Sequence, residues 1–188
     1  MSTSDLSTSH LDALKGQLRE LKVGQPPHPW RQVKTVAVSG LHSIGFDIDS
    51  EYLLVISSAG RGVIDCDTGQ KVSRDYEESY EGEEFLEANG IGPLQGKRIR
   101  TSGLMGGGLP LGTSDGWHIE LVTLDWPTRE IILVEPFSSL YGARYGKPAI
   151  FHKICAEYEL RASGFSYTGK TLVIATSSDI VIFSRGGS

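Results

Sequence analysis

The run Gly164-Phe165-Ser166-Tyr167-Thr168-Gly169-Lys170-Thr171-Leu172-Val173-Ile174-Ala175-Thr176-Ser177-Ser178 can be read in two ways, and the choice decides the fold. Gly164, Gly169, Lys170 and Thr171 spell the phosphate-loop pattern G-x-x-x-x-G-K-[ST]. A phosphate loop works because a strand feeds a glycine-rich loop and a helix starts at once, aiming its N-terminal amides at the phosphates. Here Thr171 leads instead into Leu172-Val173-Ile174-Ala175-Thr176, a β-branched run that ends in Ser-Ser-Asp. Such a run reads as a strand. Thr168–Thr171 is therefore expected to be a β-turn, and the chain to be mainly β rather than a nucleotide-binding α/β domain.

The same pattern occurs earlier. Gly45-Phe46-Asp47-Ile48-Asp49-Ser50-Glu51-Tyr52-Leu53-Leu54-Val55-Ile56-Ser57-Ser58 lies over Gly164–Ser177 without a gap. Each copy continues through a turn into a second apolar run, GRGVIDCD in the first and SDIVIFSR in the second. Glycine-phenylalanine, polar turn, strand, Ser-rich turn, strand is one supersecondary unit used twice.

This unit resembles the blade repeat of β-propellers of the WD40 and quinoprotein-like kinds. VIDCDTGQKVSR, with Asp65, Thr68 and Gly69, is similar to the strand-to-turn ending of quinoprotein-like blades. The Gly-His and Trp-Asp dipeptides of the WD40 kind are absent, and even four blades of about 40 residues would barely fit in 188 residues, so a complete, closed ring is not expected. The resemblance implies antiparallel blade-like sheets, as a partial propeller or a sandwich.

Other short runs support this. TVAVSG, WHIELVTLDW and REIILVEPF are bounded by turn formers, and LDWPTREIILVEP reads as a hairpin turning at Trp126-Pro127-Thr128-Arg129. PAIFHKICAEYEL, within 148–160, fits a short helix or a strand, with helix the favoured reading. Leu6, Leu11, Leu14, Leu18 and Leu21 recur at helical spacing, so residues 1–24 are expected to form an amphipathic helix. Its leucine face must dock on the body or on a second copy, making a homodimer. Residues 25–32, with Pro26, Pro27 and Pro29, end the helix as a linker. Residues 33–188 are expected to form a single β-rich domain, with blade-like units at about 41–72 and 160–185.

Charge and composition narrow the function. A net charge of −5 does not favour nucleic acid, which needs a basic footprint. No stretch approaches the roughly 18 apolar residues that span a bilayer as a helix. The N-terminal residues, with Asp5 and Asp12, do not read as a secretory signal, so no membrane partner and a cytoplasmic location are expected. Cys66 and Cys155 are too few for a disulfide framework or a zinc knuckle.

The candidate sites follow from chemistry-bearing residues. SRDYEESYEGEEFLEANG gathers Asp75, Glu77, Glu78, Glu81, Glu83 and Glu84 around Tyr76 and Tyr80. Aromatic side chains among carboxylates can anchor in a pocket while the charge steers a basic protein inward. These eight residues are the expected partner-binding site. The alternative is a ligand site of a small hydrolase or ligand-binding enzyme, where the glycine-rich GLMGGGLPLG would meet Asp115, His118 and Glu120; strand alternation places His118 and Glu120 on one face. Asp47, Asp49 and Glu51 lack the turn glycine and distal glutamate of a calcium loop, and Asp65-Cys66-Asp67 lacks the parallel strand of phosphoryl-transfer enzymes, so both are read as turns. No G-x-S-x-G elbow occurs, and no metal, cofactor or catalytic set is expected. The favoured function is a non-catalytic protein-binding module, of which an inhibitor or immunity-type protein is one concrete form.

Overall fold

The structure, a computed structural model, describes residues 3–76 and 86–186, with helix side chains from residue 11 onward. It is mainly β, with antiparallel sheets and one N-terminal helix. Contacts divide the chain into two compact units, Pro27–Ser114 with Glu159–Ser188, and Met1–Pro26 with Asp115–Tyr158.

In the first unit the two sequence repeats become two sheets of the same design. Strands β1 (Arg31–Ala37), β2 (Leu41–Phe46), β3 (Tyr52–Ser57), β4 (Gly60–Asp65) and β5 (Gln70–Asp75) open the unit. After β6 (Glu87–Asn89), β7 (Arg98–Arg100) and β8 (Ser102–Gly103), the chain returns to it as β12 (Ala162–Phe165), β13 (Thr171–Ala175) and β14 (Asp179–Ser184). One sheet runs β5-β4-β3-β2-β8 and the other β1-β14-β13-β12. Gly45 and Phe46 pair with Leu54 and Leu53 as Gly164 and Phe165 pair with Val173 and Leu172. The turns repeat as well. Ser57 and Thr176 each accept the N–H two residues on and donate to the carbonyl three residues on, from Gly60 and Asp179.

The correspondence extends to a fourth strand that the sequence repeat does not contain. β5 pairs with β4, and β1 pairs with β14, in the same register, and each bulges at a valine: Val72 opposite Val63 and Ile64, Val33 opposite Ile182 and Phe183. The outer strand of the second sheet is thus supplied from the other end of the sequence. Between the sheets Ile44, Phe46, Leu53, Ile64, Val173 and Ile182 form a shared core. Burying a side chain of this size contributes about 1.5–3 kcal/mol. The β6–β7 hairpin covers the other face of the first sheet with Ala88, Leu94 and Ile99 on Leu54, Ile56 and Val63.

Glycine is required where chain crosses strand. A Cβ on Gly45 would overlap the Arg100 carbonyl, and one on Gly164 would crowd Leu109 and Pro110. The repeated Gly-Phe pair therefore marks the same crossing in both sheets.

The second unit is a three-stranded sheet, β11-β10-β9, built of β9 (His118–Val122), β10 (Arg129–Val134) and β11 (Phe151–Glu157), with helix α1 (Thr3–Glu20) on one face. β9 and β10 form the hairpin expected from LDWPTREIILVEP. β11 corrects the helical reading of 148–160: Phe151 to Glu157 pair along β10. Phe151, Ile154, Cys155 and Tyr158 carry helix-like spacing. The alternation is hidden because Lys153, at mid-strand, is itself buried. Leu14 and Leu18 of the helix, with Leu21 just beyond its end, pack on Ile132, Val134, Leu140 and Phe151, so this part of the leucine face docks on the body. Lys153 Nζ donates to the Leu18 carbonyl at 2.6 Å and to Glu130 Oε1 at 2.9 Å, supplying a cation where the last helical carbonyls lack partners. No helix among the described residues is long and apolar enough to cross a membrane.

Candidate functional site at the root of the acidic segment

Of the eight residues expected to bind a partner, Asp75 and Tyr76 lie within the described residues; Glu77, Glu78, Tyr80, Glu81, Glu83 and Glu84 lie outside them. The two ends flanking that run are fixed by one arginine. Arg61, buried on β4, donates through Nη2 to Asp75 Oδ2 at 2.6 Å and through Nη1 to the Asn89 carbonyl at 3.1 Å. It thereby ties β5, which precedes the run, to β6, which follows it. Gly60, at φ +98, lies directly beneath Asp75 and Tyr76, where a Cβ would overlap the Asp75 carbonyl. Neither residue carried a sequence signal, because each acts through a strand neighbour distant in the chain.

Tyr76 is 78% exposed. Arg74 donates to the Ala59 carbonyl at 2.7 Å and places its guanidinium 5.1 Å from the Tyr76 ring centroid. A cation over the ring face holds the aromatic in place without burying it. Beside it lies a groove of about 320 Å³ lined by Val38, Val63, Ile64, Lys71, Arg74 and Tyr76. Within the lining, Lys71 donates to the Ala37 carbonyl at 2.8 Å. The groove thus has an apolar floor, a braced tyrosine at its rim, and the carboxylate-rich sequence beginning at that rim.

The alternative residues Asp115, His118 and Glu120 lie at and just before β9. His118 and Glu120 do share a face of β9, opposite Val134 and Ile132, which puts them on the face that carries the helix. His118 Nδ1 contacts the Gly116 carbonyl of its own turn at 3.3 Å. Asp115, His118 and Glu120 belong to the unit containing α1, whereas the glycine-rich Gly103–Leu111 belongs to the other. What that loop does line is a cavity of about 220 Å³, with Leu104 and Met105 at a Gly103–Gly106 turn and His42, Ser43, Leu86 and Thr101 around it. His42 is thus a histidine at the glycine-rich turn that the sequence did not single out.

Several polar groups that the sequence singled out are engaged in turns and ion pairs. Gly169, at φ +73, donates its N–H to the Ser166 carbonyl at 2.9 Å and Thr171 opens β13, so the phosphate-loop look-alike is a β-turn. Thr168 donates to Glu51 Oε1, joining the equivalent turns of the two sheets. Asp47 receives Lys97 Nζ at 2.8 and 2.7 Å and Ser50 Oγ at 2.7 Å. Burial pushes the Asp47 carboxyl up, but the bonds from Lys97 and Ser50, the Lys97 charge and the Ile48 amide outweigh it, leaving the group below its ordinary value. Asp47 is thus engaged by Lys97 and Ser50, and Glu51 by Thr168. Asp65 caps its own turn, accepting from the Asp67 amide and the Thr68 hydroxyl. Burial, then the charges of Glu51, Asp65 and Asp67, hold the Cys66 thiol well above its ordinary range, which disfavours a thiolate nucleophile. Among the described residues no group of three His, Cys, Asp or Glu side chains is arranged to hold a metal ion.

No protein-family model, no curated protein and no solved structure matches the chain.

Proposed function

We propose that the protein is a non-catalytic protein-binding module whose acidic segment, from Asp75 to Glu84, engages a basic partner. The observation that carries this reading is the braced, exposed Tyr76 at the rim of an apolar groove, at the point where the carboxylate-rich sequence begins. An interface of this kind uses an aromatic anchor and an apolar recess for affinity, and charge for steering and selectivity. An inhibitor or immunity-type protein that covers the basic site of another protein is one form it takes. Capture from native lysate at low and at high salt, read by mass spectrometry, tests the reading. A basic protein captured at low salt, weakened at high salt, and lost when Glu77, Glu78, Glu81 and Glu83 are changed to Lys is the expected result. Unchanged capture by the charge-reversed chain would overturn it.

The cavity beneath the glycine-rich turn favours a second reading, a ligand-binding protein that takes a small apolar molecule beside His42. Protection of the Leu104 and Met105 resonances by such a ligand, abolished in a Ser43→Trp chain, is its test.

A further inference from the structure

The unit containing α1 carries a second surface of opposite character. Between β10 and β11 the chain forms a loop held from within. Ser139 N–H donates to the Pro148 carbonyl at 3.2 Å, Ile150 N–H to Ser138 Oγ at 2.5 Å, and Lys147 N–H to the Gly142 carbonyl at 2.9 Å. Leu140 plugs it into the core. On this frame Phe137 is 96% exposed, at φ +60, a conformation that L side chains rarely adopt. Tyr141, Tyr145 and Ile150 are exposed beside it in the same loop. Residues 136–156 contain Arg144, Lys147 and Lys153 and no Asp or Glu.

A strained residue that buries nothing is maintained by its surroundings, and such residues concentrate where a ligand is met. Exposed Phe and Tyr with Arg is the composition of an interface hot spot. The two exposed cations, Arg144 and Lys147, fall short of the 4–8 that mark an anionic-membrane site, and the net charge of −5 opposes nucleic acid. A pre-shaped loop suits a protein partner, and its charge demands carboxylates. The sequence itself contains that complement: Glu77 to Phe85 holds five glutamates, a tyrosine, a phenylalanine and no Lys or Arg.

We propose that the Phe137–Ile150 loop of one copy receives the acidic segment of a second copy, so that the chain associates head to tail. The proposal rests on the reading of the acidic segment as a binding element and names one partner for it. Because donor and acceptor patches differ, the contact is heterologous, and each copy can bind one neighbour through each patch.

Two variants test this. In one, Glu77, Glu78, Glu81, Glu83 and Glu84 are changed to Gln; in the other, Phe137→Ala is combined with Arg144→Glu and Lys147→Glu. All the substituted loop residues are exposed, and far-UV circular dichroism verifies folding of both. By light scattering and sedimentation, the parent chain should grow in mass with concentration at low salt and revert to monomer at about 0.5 M salt, where screening acts within about 4 Å. Each variant alone should stay monomeric. Their equimolar mixture, which retains one intact loop and one intact acidic segment, should form 1:1 heterodimers and nothing larger. Phe137→Ala alone should weaken association by about 10- to 30-fold. A parent chain that remains monomeric at low salt, a loop variant that associates like the parent, or a mixture that fails to pair would overturn the inference. If pairing fails while the Glu→Gln chain still loses a captured basic protein, the proposed function stands and the self-association falls.

Discussion

Lys153→Met removes the cation that joins α1 to its sheet while keeping most of the side-chain volume. Lys153 is 5% exposed, and its ammonium serves two acceptors, the Leu18 carbonyl and Glu130 Oε1. The Glu130 side chain is itself largely buried, and its Oε2 already has no hydrogen-bond partner among the described residues. The substitution therefore leaves a buried carboxylate with neither oxygen served and strands a helix-terminal carbonyl. Breaking a buried pair from one side costs about 3–5 kcal/mol. Replacing both partners is far milder, since an apolar pair of similar volume is often neutral. Lys153→Met with Glu130→Leu should thus recover most of the loss, leaving about 1 kcal/mol for the unserved Leu18 carbonyl. Urea unfolding followed by far-UV circular dichroism gives all four corners of this double-mutant cycle. A single variant within about 1 kcal/mol of the parent, or a double variant no better than the single, would refute the assignment of Lys153 as the helix anchor.

Other consequences are local and separable. Gly45→Ala should destabilise by about 1–3 kcal/mol in urea, because its Cβ overlaps the Arg100 carbonyl, whereas Gly62→Ala, whose nearest new neighbour is 3.5 Å away, should not. Asp47 has a native pKa below its unfolded value of 3.8, so its contribution is present above that pH and is lost as the pH falls through the lower native value. Lys97→Met removes the attraction and leaves the burial, so the variant should be less stable at neutral pH, with a deficit that shrinks on acidification. Thermal unfolding at pH 7 and pH 3 measures both. Phe137→Gly should leave stability unchanged or raise it by about 1 kcal/mol, because the left-handed backbone is free to glycine and the ring it loses is exposed; a clear loss in thermal unfolding would show that the ring packs.

Local chemistry by itself determined the mainly β class, the N-terminal helix and the twice-used hairpin unit. Thr171–Ala175 can only be strand after its turn, and Gly45-Phe46 and Gly164-Phe165 carry one pattern into one register. The β11 strand was illegible because a buried, paired Lys153 imitates the polar position of a helix. The fourth strand of the second sheet was illegible because Arg31–Ala37 is far in sequence from β14, and only the fold brings their unpaired edges together. The candidate site divides the same way. Its charge and its tyrosines are composition, readable in any order. The groove, the Arg61 brace across the ends of the acidic run, and the exposure of Phe137 arise from contacts between residues distant in sequence, which tertiary packing alone decides.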